Sequence, residues 1–274
     1  MEDNIFININ KNFEEFAGLI YDGAFSEHVN KGQMKFLEGK LEITEEEAKQ
    51  KVKEFIGEDK IEEIISNGYI ENGDIPVYDF SIKIKNNDKE DYVYISISKK
   101  GGQVVLMNHN RDIKVEAITQ EQADKIGMDY LSAKGFPSMK ATYYLKQEGA
   151  VTVNYAYVQN DVTIYPDLIK VKIALDNGEV LGLETTGYLN SHTQRNINNI
   201  KITKEEAKKT INKKLNIESE SLAIIPTKWN TENLCWEFKG KVEEKEFLVY
   251  INTENGREQD ILVIVNTPNG TLTM

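Results

Sequence analysis

The side chains in this sequence that could do chemistry gather around three histidines, His28, His109 and His192. Ser26-Glu27-His28 places a hydroxyl, a carboxylate and an imidazole in series. Nucleophilic catalysis needs a base within hydrogen-bond reach of the nucleophile and donors for the oxyanion. Neighbours along a chain need not face one another, so this run reads as a helix start or a structural loop. The other two histidines share their surroundings. In Leu106-Met107-Asn108-His109-Asn110-Arg111 and in Leu189-Asn190-Ser191-His192-Thr193-Gln194-Arg195, the histidine follows a leucine by three positions and precedes an arginine. A zinc site would need all three imidazoles to converge, and no pair has the short spacing of a metal-binding helix or hairpin. Two readings stay open for these residues. Imidazole and guanidinium can bond carbonyls and carboxylates in the links between structural units, or they can line a groove that holds a partner.

Other chemistry finds no footing. Cys235 is the single cysteine, which excludes an internal disulfide and a thiolate metal cluster. Glu45-Glu46-Glu47 falls in a first helical turn, where negative charge favours the helix dipole. There is no phosphate loop and no dinucleotide fingerprint, and Gly101-Gly102 belongs to a hairpin. No cofactor or metal is expected. Tyr143, Tyr144, Tyr155, Tyr157 and Tyr165 crowd the middle of the chain, either as sheet core or as an aromatic binding face.

What must position these residues is a repeat. Ile43-Thr44-Glu45-Glu46-Glu47, Ile118-Thr119-Gln120-Glu121-Gln122 and Ile202-Thr203-Lys204-Glu205-Glu206 each spell a capping box with an isoleucine staple ahead of it, set against Ala48, Ala123 or Ala207. Beyond each cap the columns Val52, Gly127, Ile211 and Ile56, Leu131, Leu215 continue a one-sided apolar stripe. Gly127 predicts close approach of helix to sheet. Alternating strand patterns follow, among them Tyr78 to Ile82, Val151 to Tyr155 and Leu234 to Phe238. The last hairpin of each copy is in register: Ile95 and Ile97, Val171 and Ile173, Val249 and Ile251 precede Gly102, Gly178 and Gly256. Asn177-Gly178 and Asn255-Gly256 predict two-residue turns. The unit is a helix followed by an antiparallel meander.

At 274 residues, with 33 basic and 45 acidic residues and a formal net charge of −12, no stretch concentrates the Lys and Arg that a nucleic-acid or anionic membrane face requires. No window approaches the roughly 18 to 20 apolar residues of a membrane span, and the acidic start Met1-Glu2-Asp3-Asn4 is not a signal peptide. The stretch as given is expected to be soluble.

Residues 1–42 do not fit the repeat. Phe13, Phe16, Leu19 and Ile20 are spaced as one helical face, and the run Tyr21-Asp22-Gly23-Ala24-Phe25-Ser26-Glu27-His28 follows. That run resembles the Tyr-Asp-Gly-Pro-Phe-Ser-Glu-His tract of the YpeB family of spore germination proteins, departing from it at Ala24. Gly187-Tyr188-Leu189-Asn190-Ser191-His192-Thr193-Gln194-Arg195 is similar to a Gly-Tyr-Leu-x-x-His-x-x-Arg stretch of the same family. The repeat itself resembles the PepSY domain, a small helix-plus-sheet module. The resemblance implies an α+β fold of three tandem PepSY-like units at 43–115, 116–199 and 200–274, after an N-terminal segment at 1–42. Family members carry a membrane anchor and a helical region ahead of this part, so the chain would correspond to their soluble C-terminal region, on the cortex side of the spore inner membrane.

The implied function is a non-catalytic one: binding and stabilising the cortex-lytic enzyme SleB during germination. The wider PepSY family implies an alternative, a propeptide-like inhibitor or regulator of a secreted peptidase. Candidate partner-binding or inter-repeat residues are Asp22, Glu27, His28, His109, Arg111, Tyr188, His192 and Arg195.

Overall fold

In the computed structural model, which describes Phe25 and residues 32–85, 92–109 and 111–273, all three capping boxes close. Thr44 N–H donates to Glu47 Oε2 at 2.7 Å and Glu47 N–H to Thr44 Oγ1 at 3.3 Å, opening α1 (Glu45–Ile56). Thr119 and Gln122 do the same for α2 (Gln120–Ala133). A short α3 (Thr186–Ser191) comes next, and Thr203 with Glu206 then opens α4 (Lys204–Thr210). The spacing of threonine and acceptor is local, so sequence dictates these ends directly.

Four antiparallel strands follow each capped helix. They are β1 (Ile61–Ile70), β2 (Val77–Ile84), β3 (Tyr92–Ser98) and β4 (Val104–His109) after α1. After α2 come β5 (Met139–Gln147), β6 (Ala150–Gln159), β7 (Val162–Ala174) and β8 (Val180–Glu184). After α4 come β9 (Asn216–Pro226), β10 (Glu232–Val242), β11 (Lys245–Asn252) and β12 (Glu258–Thr267), with a further β13 (Gly270–Thr273). The class is α+β, mostly strand.

The strands of the three segments are not separate sheets. They form one 13-stranded sheet in the order β1-β2-β3-β4-β8-β7-β6-β5-β13-β12-β11-β10-β9. β4 pairs antiparallel with β8, and Gly270 and Thr271 of β13 pair with Leu145 and Tyr144 of β5. The far end then folds back: Val162, Thr163 and Ile164 of β7 pair in parallel with Leu222, Ala223 and Ile224 of β9. The strands from β7 round to β9 thereby close into a barrel-like ring.

β7 makes this closure by changing partners along its length. Lys170 to Ile173 pair with β8, whereas Val162 to Ile164 pair with β9. Between them the register against β6 slips, from Leu168 opposite Ala156 to Ile164 opposite Tyr157. Pro166 sits in this bulge, where its missing N–H costs no ladder bond.

The alternation of side chains separates two cores. On the outer face, Val151, Val153, Tyr155, Ile169, Val171 and Ile173 pack under α1 and α2, and Ala207, Phe238, Val249 and Ile251 pack under α4. The opposite faces of the ring strands point inward, where Tyr143, Tyr165, Cys235, Leu248, Tyr250 and Leu262 meet. Phe25, from the N-terminal segment, joins them with ring centroids 5.2 Å from Tyr165 and 5.4 Å from Tyr250. Of the crowded tyrosines, Tyr143, Tyr155 and Tyr165 are buried, and Tyr144 and Tyr157 lie partly buried against the core, so they build the sheet and not an exposed face. The helical stripe at Phe13 to Ile20 lies outside the described residues.

Two local expectations are corrected. The Asn-Gly turns are longer than two residues: 175–179 separate β7 from β8, and 253–257 separate β11 from β12. Asn177 Oδ1 accepts the Glu179 N–H at 2.9 Å and Asn255 Oδ1 accepts the Arg257 N–H at 2.9 Å, so the side chain bends the backbone into an Asx turn. Each glycine N–H then reaches the carbonyl four residues back, as Gly178 does to Ala174 O at 3.0 Å. The third capped helix, α4, also stops early. Ile211 is buried but lies at its C-cap, and Leu215 lies beyond it, because Asn212 Oδ1 takes the Lys214 N–H at 3.0 Å and starts a turn.

Gly127 brings α2 onto the sheet. A Cβ there would stand 2.0 Å from Tyr155 Oη and 2.7 Å from Cζ, and Tyr155 is fully buried with its hydroxyl donating to Asp124 O at 3.1 Å. Alanine gains about 1 kcal/mol of helix propensity over glycine, but overpacking costs about 1–3 kcal/mol. Gly127→Ala is therefore expected to lower stability in urea unfolding, and adding Tyr155→Phe to restore part of the loss.

Candidate functional site

The residues singled out in sequence fall at two junctions. At the first, Arg111 follows β4 and reaches the turn between β7 and β8. Its Nη1 and Nη2 grip Asp176 at 2.7 and 2.8 Å, and its Nε donates to Glu179 Oε2 at 2.7 Å. His109 Nδ1 stands 3.4 Å from the other Glu179 oxygen. The His109 hydrogen bond, then those of Arg111, hold the Glu179 carboxyl down to about 2 against the opposing effect of burial. The β4–β8 seam is thus reinforced by charge beside its backbone ladder.

The second junction is more deeply enclosed. Asp167, fully buried in the β7 bulge, receives Arg195 Nη1 at 2.5 Å and Nη2 at 2.7 Å, and His192 Nδ1 at 2.6 Å. Arg195 also donates to Glu232 of β10, from Nε at 3.0 Å and Nη2 at 2.9 Å. The Ser191 and Thr193 carbonyls, each at 2.9 Å, complete its acceptors. Burial disfavours the guanidinium charge, and the Glu232 and Asp167 carboxylates more than reverse that, so the pKa of Arg195 is raised further. The backbone of Arg195 is fixed as well, because Gln159 accepts its N–H at 3.1 Å and donates to its carbonyl at 2.7 Å.

α3 sets the histidine. Gly187 lets it lie on β7, since a Cβ there would come within 3.0 Å of Leu168 O. Tyr188 then stacks on His192 with centroids 4.2 Å apart and planes 11° apart, while Tyr157 and Phe36 meet the imidazole edge-on. Asn190 Oδ1 accepts the Met34 N–H at 3.1 Å, which ties the chain ahead of α1 to the same place.

Tyr188, His192 and Arg195 therefore share one cluster, and His109 and Arg111 form another. Asp22, Glu27 and His28 lie outside the described residues. Among the described residues no group of His, Cys, Asp and Glu is arranged to hold a metal ion. Cys235 is buried, and burial pushes its thiol up to about 12, so the nucleophilic thiolate does not form at neutral pH. Sequence reasoning missed the acceptors Asp167, Glu232, Asp176 and Glu179. Asp167 carried a signal: a carboxylate beside a proline inside the apolar run Val162 to Ile169 has to be paired if it is buried.

Residues 2–198 match the family described as YpeB sporulation, PepSY1 and PepSY2 domains, and residues 201–262 that described as peptidase propeptide and YPEB domain. The chain belongs to the YpeB sporulation family. Sporulation protein YpeB of Bacillus subtilis (strain 168) is 32% identical over 267 residues, covering 94% of this chain and 58% of that protein. Its counterpart in Oceanobacillus iheyensis is 32% identical over 219 residues, covering 80% of this chain and 48% of that protein. The chain spans about half the length of these relatives. The solved Bacillus megaterium YpeB C-terminal domain is 29% identical and superimposes with a TM-score of 0.73 over 82% of this chain and 99% of that one. No helix among the described residues is long and apolar enough to cross a membrane.

Breaking a buried ion pair by removing one partner costs about 3–5 kcal/mol. Arg195→Met is expected to fall in that range by urea unfolding, and Arg195→Lys to lie between it and the natural chain, because lysine lacks the fork that spans two carboxylates. Acid tests the first junction. Glu179 is held below its ordinary 4.5, so its contribution is full above that pH and fades as pH falls toward 2. The melting-temperature gap between the natural chain and Glu179→Gln is expected to narrow below pH 4.5; a gap constant with pH contradicts the assignment.

Proposed function

We propose that this chain is a non-catalytic binding and stabilising protein of spore germination, acting on the cortex side of the spore inner membrane in support of the cortex-lytic enzyme SleB. Membership of the YpeB sporulation family supports the setting. The observation that carries the non-catalytic part is the second junction: His192 and Arg195, the side chains best suited to chemistry, are spent holding β7 to β10 through Asp167 and Glu232. In this reading the helix-plus-meander segments act as three PepSY-like units at 43–115, 116–199 and 200–274. Fused in one sheet, they present a long surface whose end strand among the described residues, β1, has an outer edge that an added strand could pair with.

The description of residues 201–262 as a peptidase propeptide and YPEB domain favours a second reading, inhibition of a secreted peptidase. One experiment separates the two. The purified chain is immobilised and offered SleB and, separately, a panel of secreted peptidases, with peptidase and cortex-hydrolase activities measured in parallel. Retention of SleB with peptidases unaffected is the expected result. Loss of peptidase activity would favour the second reading, and a folded chain that retains neither would overturn the first.

A further inference from the structure

A cleft of about 340 Å³ lies where α1 and α2 approach each other over the β4–β8 seam. Its apolar wall comes from Phe55 and Ile56 of α1, Met107 of β4, Tyr130 of α2 and Val180 of β8. Phe55 and Tyr130 meet edge to face at 6.5 Å, leaving an aromatic surface toward the space. Two lysines, Lys60 and Lys134, line the same cleft. Lys134 Nζ spends one of its three donors on Phe55 O at 2.7 Å and lies 4.0 Å over the Phe55 ring.

The charge arrangement is lopsided. In a chain of net charge −12, this cleft gathers two ammonium groups. The carboxylate that also lines it, Glu179, is already engaged by Arg111 and by His109. Among the described residues no ion pair joins Lys60 or Lys134 to a carboxylate. Burial, and after it the nearby charge of Lys60, lowers the pKa of Lys134, so the two cations also oppose each other. Among the described residues, these two like charges beside an apolar cavity have no carboxylate of their own, and an anionic ligand would supply one. The volume falls in the range of small-molecule sites, which combine an apolar lining with a few convergent polar groups.

We propose that this cleft is a binding site for a small carboxylate with an apolar body, the carboxylate meeting Lys134 and Lys60 and the body packing on Phe55, Tyr130, Met107 and Val180. This site is separate from the partner reading above and does not depend on it. Such a ligand can be a free aliphatic acid or the carboxyl-terminal residue of a peptide, and the probes distinguish them. The chain is titrated with sodium octanoate, N-acetylphenylalanine and octan-1-ol, read by calorimetry and by methyl shifts of Met107 and Val180. One of the carboxylates is expected to bind about tenfold more tightly than octanol, an ion-pair contribution of ordinary size in a partly desolvated cleft. Stronger binding of octanoate assigns an aliphatic acid; stronger binding of N-acetylphenylalanine assigns a chain terminus. Lys134→Met is expected to reduce the carboxylate to the level of octanol, and Lys60→Gln, an exposed position that leaves the fold untouched, to weaken it in the same direction. Binding of both carboxylates no tighter than that of octanol, or carboxylate binding unaltered in both variants, or no shift at the cleft methyls, overturns the proposal.

Discussion

A carboxylate with no exposure to solvent has to be compensated, and Asp167 is such a carboxylate. Its position follows from β7 being shared. One half of that strand completes the meander with β8, the other closes the ring with β9, and the bulge between the halves turns Asp167 to the side where Arg195 waits. Arg195 then bonds Glu232 at the start of β10, so a single guanidinium spans the second and third segments. The parallel pairing of β7 and β9 covers only three residue pairs. Charge-assisted bonds at its flank give the closure a strength that so short a ladder lacks.

The first junction repeats the device in a more open setting. Arg111 and His109 stand to Asp176 and Glu179 much as Arg195 and His192 stand to Glu232 and Asp167: an arginine fork, an imidazole, two carboxylates and a strand seam. The difference is burial. The first cluster lies partly in solvent, where ion pairs are screened and contribute less. The second is enclosed by Tyr188, Tyr157 and Phe36, where an unmatched charge is costly. The two clusters therefore use the same chemistry at unequal depth, and the deeper one carries the ring.

How much of this was legible in the sequence follows the distance between partners. Capping boxes depend on residues three apart, and all three were readable. So was Gly127, because a glycine in a helical stripe has few other uses. The turns were located correctly but misjudged in length, since Asn177 and Asn255 act through their side chains. The early stop of α4 turned on Asn212, again a side chain competing with the backbone. The ring was not legible: β7 and β9 lie far apart in sequence and pair in parallel, and neither strand's pattern names its second partner. Type and spacing singled out His109, Arg111, His192 and Arg195. Their acceptors were not singled out, because Asp176 and Glu179 were absorbed into a turn and Glu232 looks like any strand-end charge.

The central claim is that closure at Asp167 makes the described sheet one cooperative body. Native-state hydrogen exchange under increasing denaturant measures this directly. The account predicts that protected amides in β3, β6 and β10 merge into a single opening reaction with one free energy. A separate opening of β10 and β11 at lower free energy, with β3 and β6 still protected, would contradict it.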